Sequence, residues 1–340
     1  MGERIHLAAN NPDLGGGEQV LLRHAEALLD LGHAVTVVSA DRPTEVLDAA
    51  AAAGAEVVAI RADDRRDYLR RLRAWDRAER DGVVWCHGLV PAVATAGHRR
   101  RIVHLHQDPR GRGQVAAAAV ARRGALVTLV PSTDMARRVP GSRAHANWTA
   151  DLPLLDRSAV GSRDVGYLGR LSTDKGVDVL ADAVGRLSGV GDLVVAGDAR
   201  YVPEPDVRVV ERALSALGSR VVRLGHVAPG ELFARATVVA FPSVWAEPFG
   251  LVVAEAMAAG VPFVVSDAGA LPEVAGPDHP WVARAGDAAD LARVVGDALA
   301  ATPSEVRAVT DRARSRWAEH YSPRAGRLRV QRLLDDLGVG

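Results

Sequence analysis

Two carboxylates, Glu247 and Glu255, bracket the run Pro248-Phe249-Gly250-Leu251-Val252-Val253-Ala254, just after an apolar stretch that reads as a strand. Glu247 falls in the loop ahead of a helix that opens near Gly250, and Glu255 falls in the second turn of that helix. The first amides of a helix have no intrahelical acceptor, so the N–H groups of Phe249, Gly250 and Leu251 are available to an anion, and Gly250 has no side chain to block a phosphate. An ionised carboxylate accepts from both hydroxyls of a vicinal diol, which suits Glu255 to a ribose. The plainer alternative makes Glu247 a helix-dipole partner and Glu255 a surface residue. Glu255 lies inside the apolar run 251–265, where a merely solvated carboxylate is out of place.

A second set is Gly169-Arg170-Leu171-Ser172-Thr173-Asp174-Lys175-Gly176, again between an expected strand and an expected helix. Arg170 can grip a diphosphate as a bidentate fork, and Lys175 can serve as a compact point charge. A helix amino terminus disfavours a local cation, so Lys175 there implies an anionic partner. The competing reading is an ion pair with Asp174 or Asp178 on a wet surface, where such pairs contribute little. Of the 42 basic residues, Lys175 is the only lysine. A GC-rich coding bias accounts for the loss of lysine elsewhere and leaves its retention here to function.

Near the amino end, Leu14-Gly15-Gly16-Gly17-Glu18 sits between a strand and a helix, where glycine lets backbone approach a ligand. Asp41 stands where a dinucleotide fold places its ribose-binding acid, but Val20 occupies the position of the third fingerprint glycine, which argues against nicotinamide binding. His104 and His106 share one face at the end of a strand that reads as Ile102–His106, and His87 ends its neighbour. With Asp108 these three imidazoles offer a metal set, although no metal-binding spacing such as HExxH accompanies them. His106, nearest the strand's carboxyl end, is the one expected to face a ligand cleft. No GxSxG elbow supports a serine hydrolase.

The elements that must position these groups follow from hydrophobic periodicity. Short Val/Leu/Ile runs alternate with amphipathic segments, the pattern of parallel strands covered by helices on both faces. Strands are expected at Ile5–Ala9, Ala34–Ser39, Glu56–Ile60, Val83–Cys86, Ile102–His106 and Leu126–Val130, with helices at Glu18–Leu31, Glu45–Ala53 and Arg66–Arg80. The alternation breaks over 147–163 and restarts with strands at Asp164–Leu168, Leu193–Ala196, Val221–Leu224, Val238–Phe241 and Phe263–Ser266. Helices are expected from about Val177, Pro229, Gly250 and Ala288, and the tail 304–337 is helical with a break at Pro323. The expected organisation is an amino-terminal Rossmann-like domain over 1–150, a linker over 151–163, a second Rossmann-like domain over 164–317, and a helical tail over 318–340 that packs back on the first domain.

Composition agrees with two globular domains. The 340 residues are 48% hydrophobic and 25% charged, with 42 basic against 42 acidic side chains, so nothing global attracts nucleic acid or an anionic membrane. The segment 63–81 is rich in arginine, but Asp67, Asp76, Glu79 and Asp81 interleave it and Tyr68, Leu69, Leu72 and Trp75 form one stripe. A solvated amphipathic helix fits better than peripheral membrane contact. One cysteine, Cys86, forms no intramolecular disulfide and points to a reducing, cytoplasmic setting. No signal-peptide core or membrane-length apolar run is expected.

Together these features resemble the family 4 glycosyltransferases, retaining sugar transferases with the two-domain GT-B fold, in which two doubly wound α/β domains face each other across a cleft. The resemblance rests on Gly15-Gly16-Gly17, His106, Gly169-Arg170-Leu171 through Lys175-Gly176, Gly225-His226-Val227, Pro242-Ser243, the Glu247 and Glu255 pair, and Ala258-Ala259-Gly260-Val261-Pro262. It implies that Arg170 and Lys175 hold a donor diphosphate, that Phe249, Gly250 and Leu251 offer it amides, and that Gly16 and Gly17 border the donor. Glu255 would take the ribose, Glu247 the transferred sugar, His106 a sugar hydroxyl near the anomeric centre, and backbone near Val227 the base. Ala268-Gly269-Ala270 replaces the family's usual double glycine, and Thr237 stands where Asp is common. The implied activity is metal-independent, cofactor-free transfer from a nucleotide sugar, UDP-linked before GDP-linked, to a hydroxyl of a small molecule, lipid or oligosaccharide, in natural-product or cell-envelope glycoside synthesis. The alternatives are a catalytically silent nucleotide-sugar binder and a metal-dependent hydrolase at His87, His104 and His106.

Overall fold

A computed structural model describes residues 3–11, 13–155 and 162–339. The chain divides into two compact units, one running to Trp148 and including the chain from Pro323 onward, the other spanning Thr149–Ser322. The change of unit thus falls at 148/149 and again at Pro323, rather than at 150 and 318. Residues 156–161 of the expected linker lie outside the described residues.

The first unit alternates strands and helices: β1 (Ile5–Ala8), α1 (Gly16–Asp30), β2 (Val35–Ala40), α2 (Glu45–Ala52), β3 (Glu56–Ile60), α3 (Arg65–Ala78), β4 (Val83–His87), α4 (Leu89–Ala94), β5 (Arg101–His104), α5 (Gly111–Ala121), β6 (Ala125–Val130), α6 (Thr133–Arg138) and β7 (Arg143–Ala144). All strands pair in parallel in the order β3-β2-β1-β4-β5-β6-β7. Successive side chains leave a strand on opposite faces. Val83 and Trp85 of β4 therefore enter one core with Leu21 and Leu28 of α1, while Val84 and Cys86 enter the other with Leu72 and Trp75 of α3. The fully buried Arg101 guanidinium donates to the carbonyls of Ala92 in α4 and Ala121 in α5, satisfying helix-end carbonyls that would otherwise be orphaned.

The second unit repeats the plan with β8 (Val165–Leu168), α7 (Val177–Arg186), β9 (Leu193–Ala196), α8 (Glu204–Ala216), β10 (Val221–Gly225), α9 (Pro229–Phe233), β11 (Val238–Phe241), α10 (Leu251–Ala259), β12 (Phe263–Ser266), α11 (Leu271–Ala275), β13 (Val282–Ala283), α12 (Ala288–Ala300) and α13 (Pro303–His320). Its parallel order is β10-β9-β8-β11-β12-β13. α10 buries Val253, Ala254 and Ala256–Ala259, so it carries apolar residues nearly all round. α13 starts with a capping box, in which Thr302 and Glu305 satisfy each other's backbone amides.

After Pro323 the chain returns to the first unit as α14 (Pro323–Leu337), which buries Val330, Leu333 and Leu334 in the core shared with α1. The Arg329 side chain donates to the carbonyl of Ala146, and Arg327 pairs with Asp30 at 2.5 Å. Among the described residues, no helix is long and apolar enough to cross a membrane.

Candidate functional site

In each sheet the connections run outward in both directions from one pair of adjacent strands, β1 and β4 in the first unit and β8 and β11 in the second. Ligands of open α/β sheets bind beyond the carboxyl ends of the strands at such a switch point. The chemistry-bearing residues of the second unit emerge there. Arg170 and Lys175 follow β8, Glu247 follows β11, and Glu255 sits in the second turn of α10.

Lys175 ends a short 3-10 turn, Thr173–Lys175, and its Nζ donates to Glu247 Oε2 at 2.5 Å. The pair is partly shielded, with 24% of the lysine side chain and 13% of the glutamate side chain exposed. Ser243 Oγ donates to the same Oε2 at 3.2 Å, and Ser266 Oγ donates to the Ser243 carbonyl at 2.6 Å. Lys175 is therefore not paired with Asp174 or Asp178, the partners considered from sequence. It is Arg170 that pairs with Asp174, at 2.7 Å in a more exposed setting.

Two backbone approaches hold this arrangement. Gly176 has φ +70°, and a Cβ there would lie 2.0 Å from the Pro242 carbonyl oxygen, so only glycine lets the β8 turn close on the end of β11. The amides of Val244 and Trp245 donate to the Asp174 carbonyl, tying the same two loops together. On the other side, a Cβ at Gly269 would fall 2.4 Å from the Glu247 nitrogen. Ala270 N–H donates to the Glu247 carbonyl at 2.9 Å. The Ala268-Gly269-Ala270 loop thus fixes Glu247 by its backbone, with the single glycine at the point of contact.

Tyr167 is a member of the site that sequence reasoning missed. Its buried hydroxyl donates to the Arg170 carbonyl at 2.6 Å. Burial, and then the negative charges of Glu247 and Asp174, hold its phenol well above the usual range, so it acts as a neutral donor. Its only sequence signal was a polar-tipped aromatic inside an expected strand.

Phe249 is buried and meets Tyr321 edge-on, with ring centroids 5.5 Å apart. Gly250 is the cap of α10, with φ +95°, and Leu251 begins the helix, one residue after the expected opening. Val227 lies in the loop after β10, partly buried. These residues therefore occupy the carboxyl edge of one sheet.

In the first unit, Gly16 opens α1 and Gly17 follows it. A Cβ at Gly17 would lie 3.5 Å from His106 Cδ2, so the glycine loop runs beside that imidazole. His106 is not in the strand as expected, because pairing of β5 ends at His104. Burial pushes its pKa down to about 4, which leaves a neutral ring at neutral pH. His87 Nδ1 stands 3.1 Å from His106 Nε2. Asp108 does not join the imidazoles: Arg138 Nε donates to it at 2.7 Å. Asp41 follows β2 and lies near Arg42 and Arg61.

Two doubly wound α/β units with their charged residues at the carboxyl edges define the GT-B fold class. Residues 162–301 match the family described as "Glycosyl transferases group 1". The chain superposes on Anabaena Alr3699/HepE in complex with UDP-glucose with a TM-score of 0.85 at 19% identity, covering 98% of this chain and 100% of that one. It superposes on sucrose-phosphate synthase from Thermosynechococcus elongatus with a TM-score of 0.83 at 19% identity, covering 99% of each chain. D-inositol 3-phosphate glycosyltransferase of Mycobacterium tuberculosis is 31% identical over 196 residues, 54% of this chain and 39% of that relative's length.

Proposed function

We propose that this chain is a retaining, metal-independent glycosyltransferase that uses a nucleoside-diphosphate sugar, UDP-linked before GDP-linked. The observation that carries the reading is the Lys175–Glu247 pair at the switch point of the second unit, beside Arg170 and the start of α10. The group 1 glycosyltransferase match over 162–301 and the UDP-glucose complex of a protein with the same fold support it.

In this mechanism the diphosphate takes Lys175, Arg170 and the amides of Phe249, Gly250 and Leu251, while Glu247 turns to hydroxyls of the transferred sugar. Glu255 accepts from the ribose and backbone near Val227 meets the base. The C1–O bond to the diphosphate breaks as the acceptor oxygen bonds to C1 on the same face, and the acceptor proton passes to the departing phosphate oxygen. Negative charge grows on the leaving group during this step, so fixed cations and helix amides stabilise the transition state more than the ground state. No metal is required for that stabilisation. Neutral His106, beside Gly17, hydrogen-bonds a sugar hydroxyl near the anomeric centre.

The acceptor is a hydroxyl of a small molecule, lipid or oligosaccharide, met by the first unit, in natural-product or cell-envelope glycoside synthesis. A screen of UDP-, GDP-, ADP- and TDP-sugars for slow donor hydrolysis in the presence of EDTA tests the reading. Hydrolysis of one donor with EDTA present supports it. Tight nucleotide binding with no hydrolysis of any donor would instead assign a silent binder, and activity lost to EDTA would assign metal chemistry.

A further inference from the structure

The first unit gathers histidines of which the proposed transfer uses only one. His24 from α1, His87 at the end of β4, His104 at the end of β5 and His145 cluster around Trp85, and His106 lies against His87 and His104. Ring centroids of neighbouring histidines lie between 4.4 Å, for His104 and His106, and 5.7 Å, for His104 and His145. Within the cluster, His87, His104 and His106 each offer a ring nitrogen, and the three nitrogens lie within 4.8 Å of one another. Both ring nitrogens of His104 lack a hydrogen-bond partner among the described residues, as do His87 Nε2 and His106 Nδ1.

A buried polar atom without a partner costs about 1–3 kcal/mol, so His104, with both ring nitrogens orphaned, points to a group that engages that ring. A tetrahedral ion with metal–nitrogen bonds of about 2.0–2.1 Å places its ligand nitrogens about 3.3 Å apart. His87 Nδ1 and His106 Nε2, at 3.1 Å, already stand at that separation. The third ligand is His104, which offers a ring nitrogen within 4.8 Å of one on each of the other two. The donor set is imidazole alone, because Asp108 is held by Arg138. Imidazole suits d-block ions and not Mg2+ or Ca2+, which take oxygen.

We propose that His87, His104 and His106 form a binding site for a d-block divalent cation, with a fourth position open beside His106, the least buried of the three rings. Occupancy removes His106 from the sugar, so the bound ion inhibits transfer. That second statement rests on the contact proposed for His106, whereas binding itself does not.

Zn2+ titrated calorimetrically into the chelator-treated full chain should bind once per chain at micromolar or tighter affinity. X-ray absorption of the zinc-loaded native chain should show an imidazole shell. His87→Gln and His104→Gln should each weaken binding by at least about tenfold, and His320→Gln, half-buried on α13 of the second unit, should not. The absorption measurement needs no variant, so it decides even where a core substitution unfolds the chain. Absence of binding, an oxygen-only shell, or unchanged affinity in both folded variants overturns the site. Zinc that binds there without slowing transfer keeps the site and overturns its inhibitory role.

Discussion

Lys175 Nζ and Glu247 Oε2 are joined at 2.5 Å although 72 positions separate the two residues. The link connects the loops that follow β8 and β11, the adjacent parallel strands from which the second sheet's connections run outward in both directions. Lys175 is partly shielded and held by Glu247, and Arg in its place keeps the charge but brings a planar fork that cannot occupy the same position. Lys175→Arg should therefore lower kcat/KM by about 10- to 100-fold, with the thermal midpoint little changed. Steady-state kinetics checks this, and an unchanged rate would reduce Lys175 to a simple surface cation.

Glu247 positions the transferred sugar in this account and forms no bond to it. Glu247→Gln keeps the shape and the backbone contacts with Ala270 and removes the charge. It should reduce kcat on the order of 100-fold with a smaller change in donor KM. Intact-protein mass spectrometry of the wild type during turnover should show no added sugar. A glycosyl adduct on Glu247 would assign it as a nucleophile.

Glu255 is assigned to the ribose, so its loss should act on donor binding. A hydrogen bond to a charged group contributes about 1.5–3 kcal/mol, and Glu255→Ala should raise the donor Kd by about 10- to 100-fold. It should also erase the preference for a ribonucleotide over its 2′-deoxy analogue. Calorimetry with both nucleotides decides, and a preference that survives would place the ribose elsewhere.

The strands of both units were legible because parallel strands buried on two faces read as short Val-rich runs. Val238–Phe241 and Phe263–Ser266 form strands over those same residues. The two-residue strands β7 and β13 carry no periodicity to detect. Arg170, Lys175, Glu247 and Glu255 stood out because charge interrupts an apolar background next to expected turns. Which carboxylate Lys175 meets was not legible, since that depends on how the loops after β8 and β11 cross, and Gly176 and Gly269 set that crossing through space. Tyr167 was hidden for a related reason, since its role lies in a hydroxyl reaching the Arg170 carbonyl. β5 ends at His104, short of the expected end at His106, although burial continues through Leu105 and its amide still donates to the Leu129 carbonyl.

His279 lies against Phe263, with ring centroids 4.3 Å apart, and its Nε2 is 2.9 Å from the Phe263 carbonyl oxygen. Burial pushes its pKa down from 6.5 to about 4. The folded value is the lower one, so the unfolded chain binds the extra proton, and stability is complete above the unfolded value and lost as pH falls toward the folded value. His279→Gln does not titrate and retains a donor for the carbonyl. The stability advantage of wild type over this variant should shrink by up to about 1.4 kcal/mol per pH unit between about pH 6.5 and 4. Urea unfolding across that range measures it, and a constant difference would mean that His279 titrates normally.

The claim that Arg170, Lys175 and the start of α10 form a diphosphate site is tested most directly by nucleotide binding to wild type and Lys175→Ala. UDP, GDP, ADP and TDP at millimolar concentration are compared by thermal shift and calorimetry. The account predicts that UDP, or failing that GDP, raises the wild-type midpoint, by about 2.7 kcal/mol of stabilisation at a hundredfold excess over Kd, and that Lys175→Ala loses most of this shift. No shift with any of the four nucleotides, or an equal shift in the variant, would contradict it.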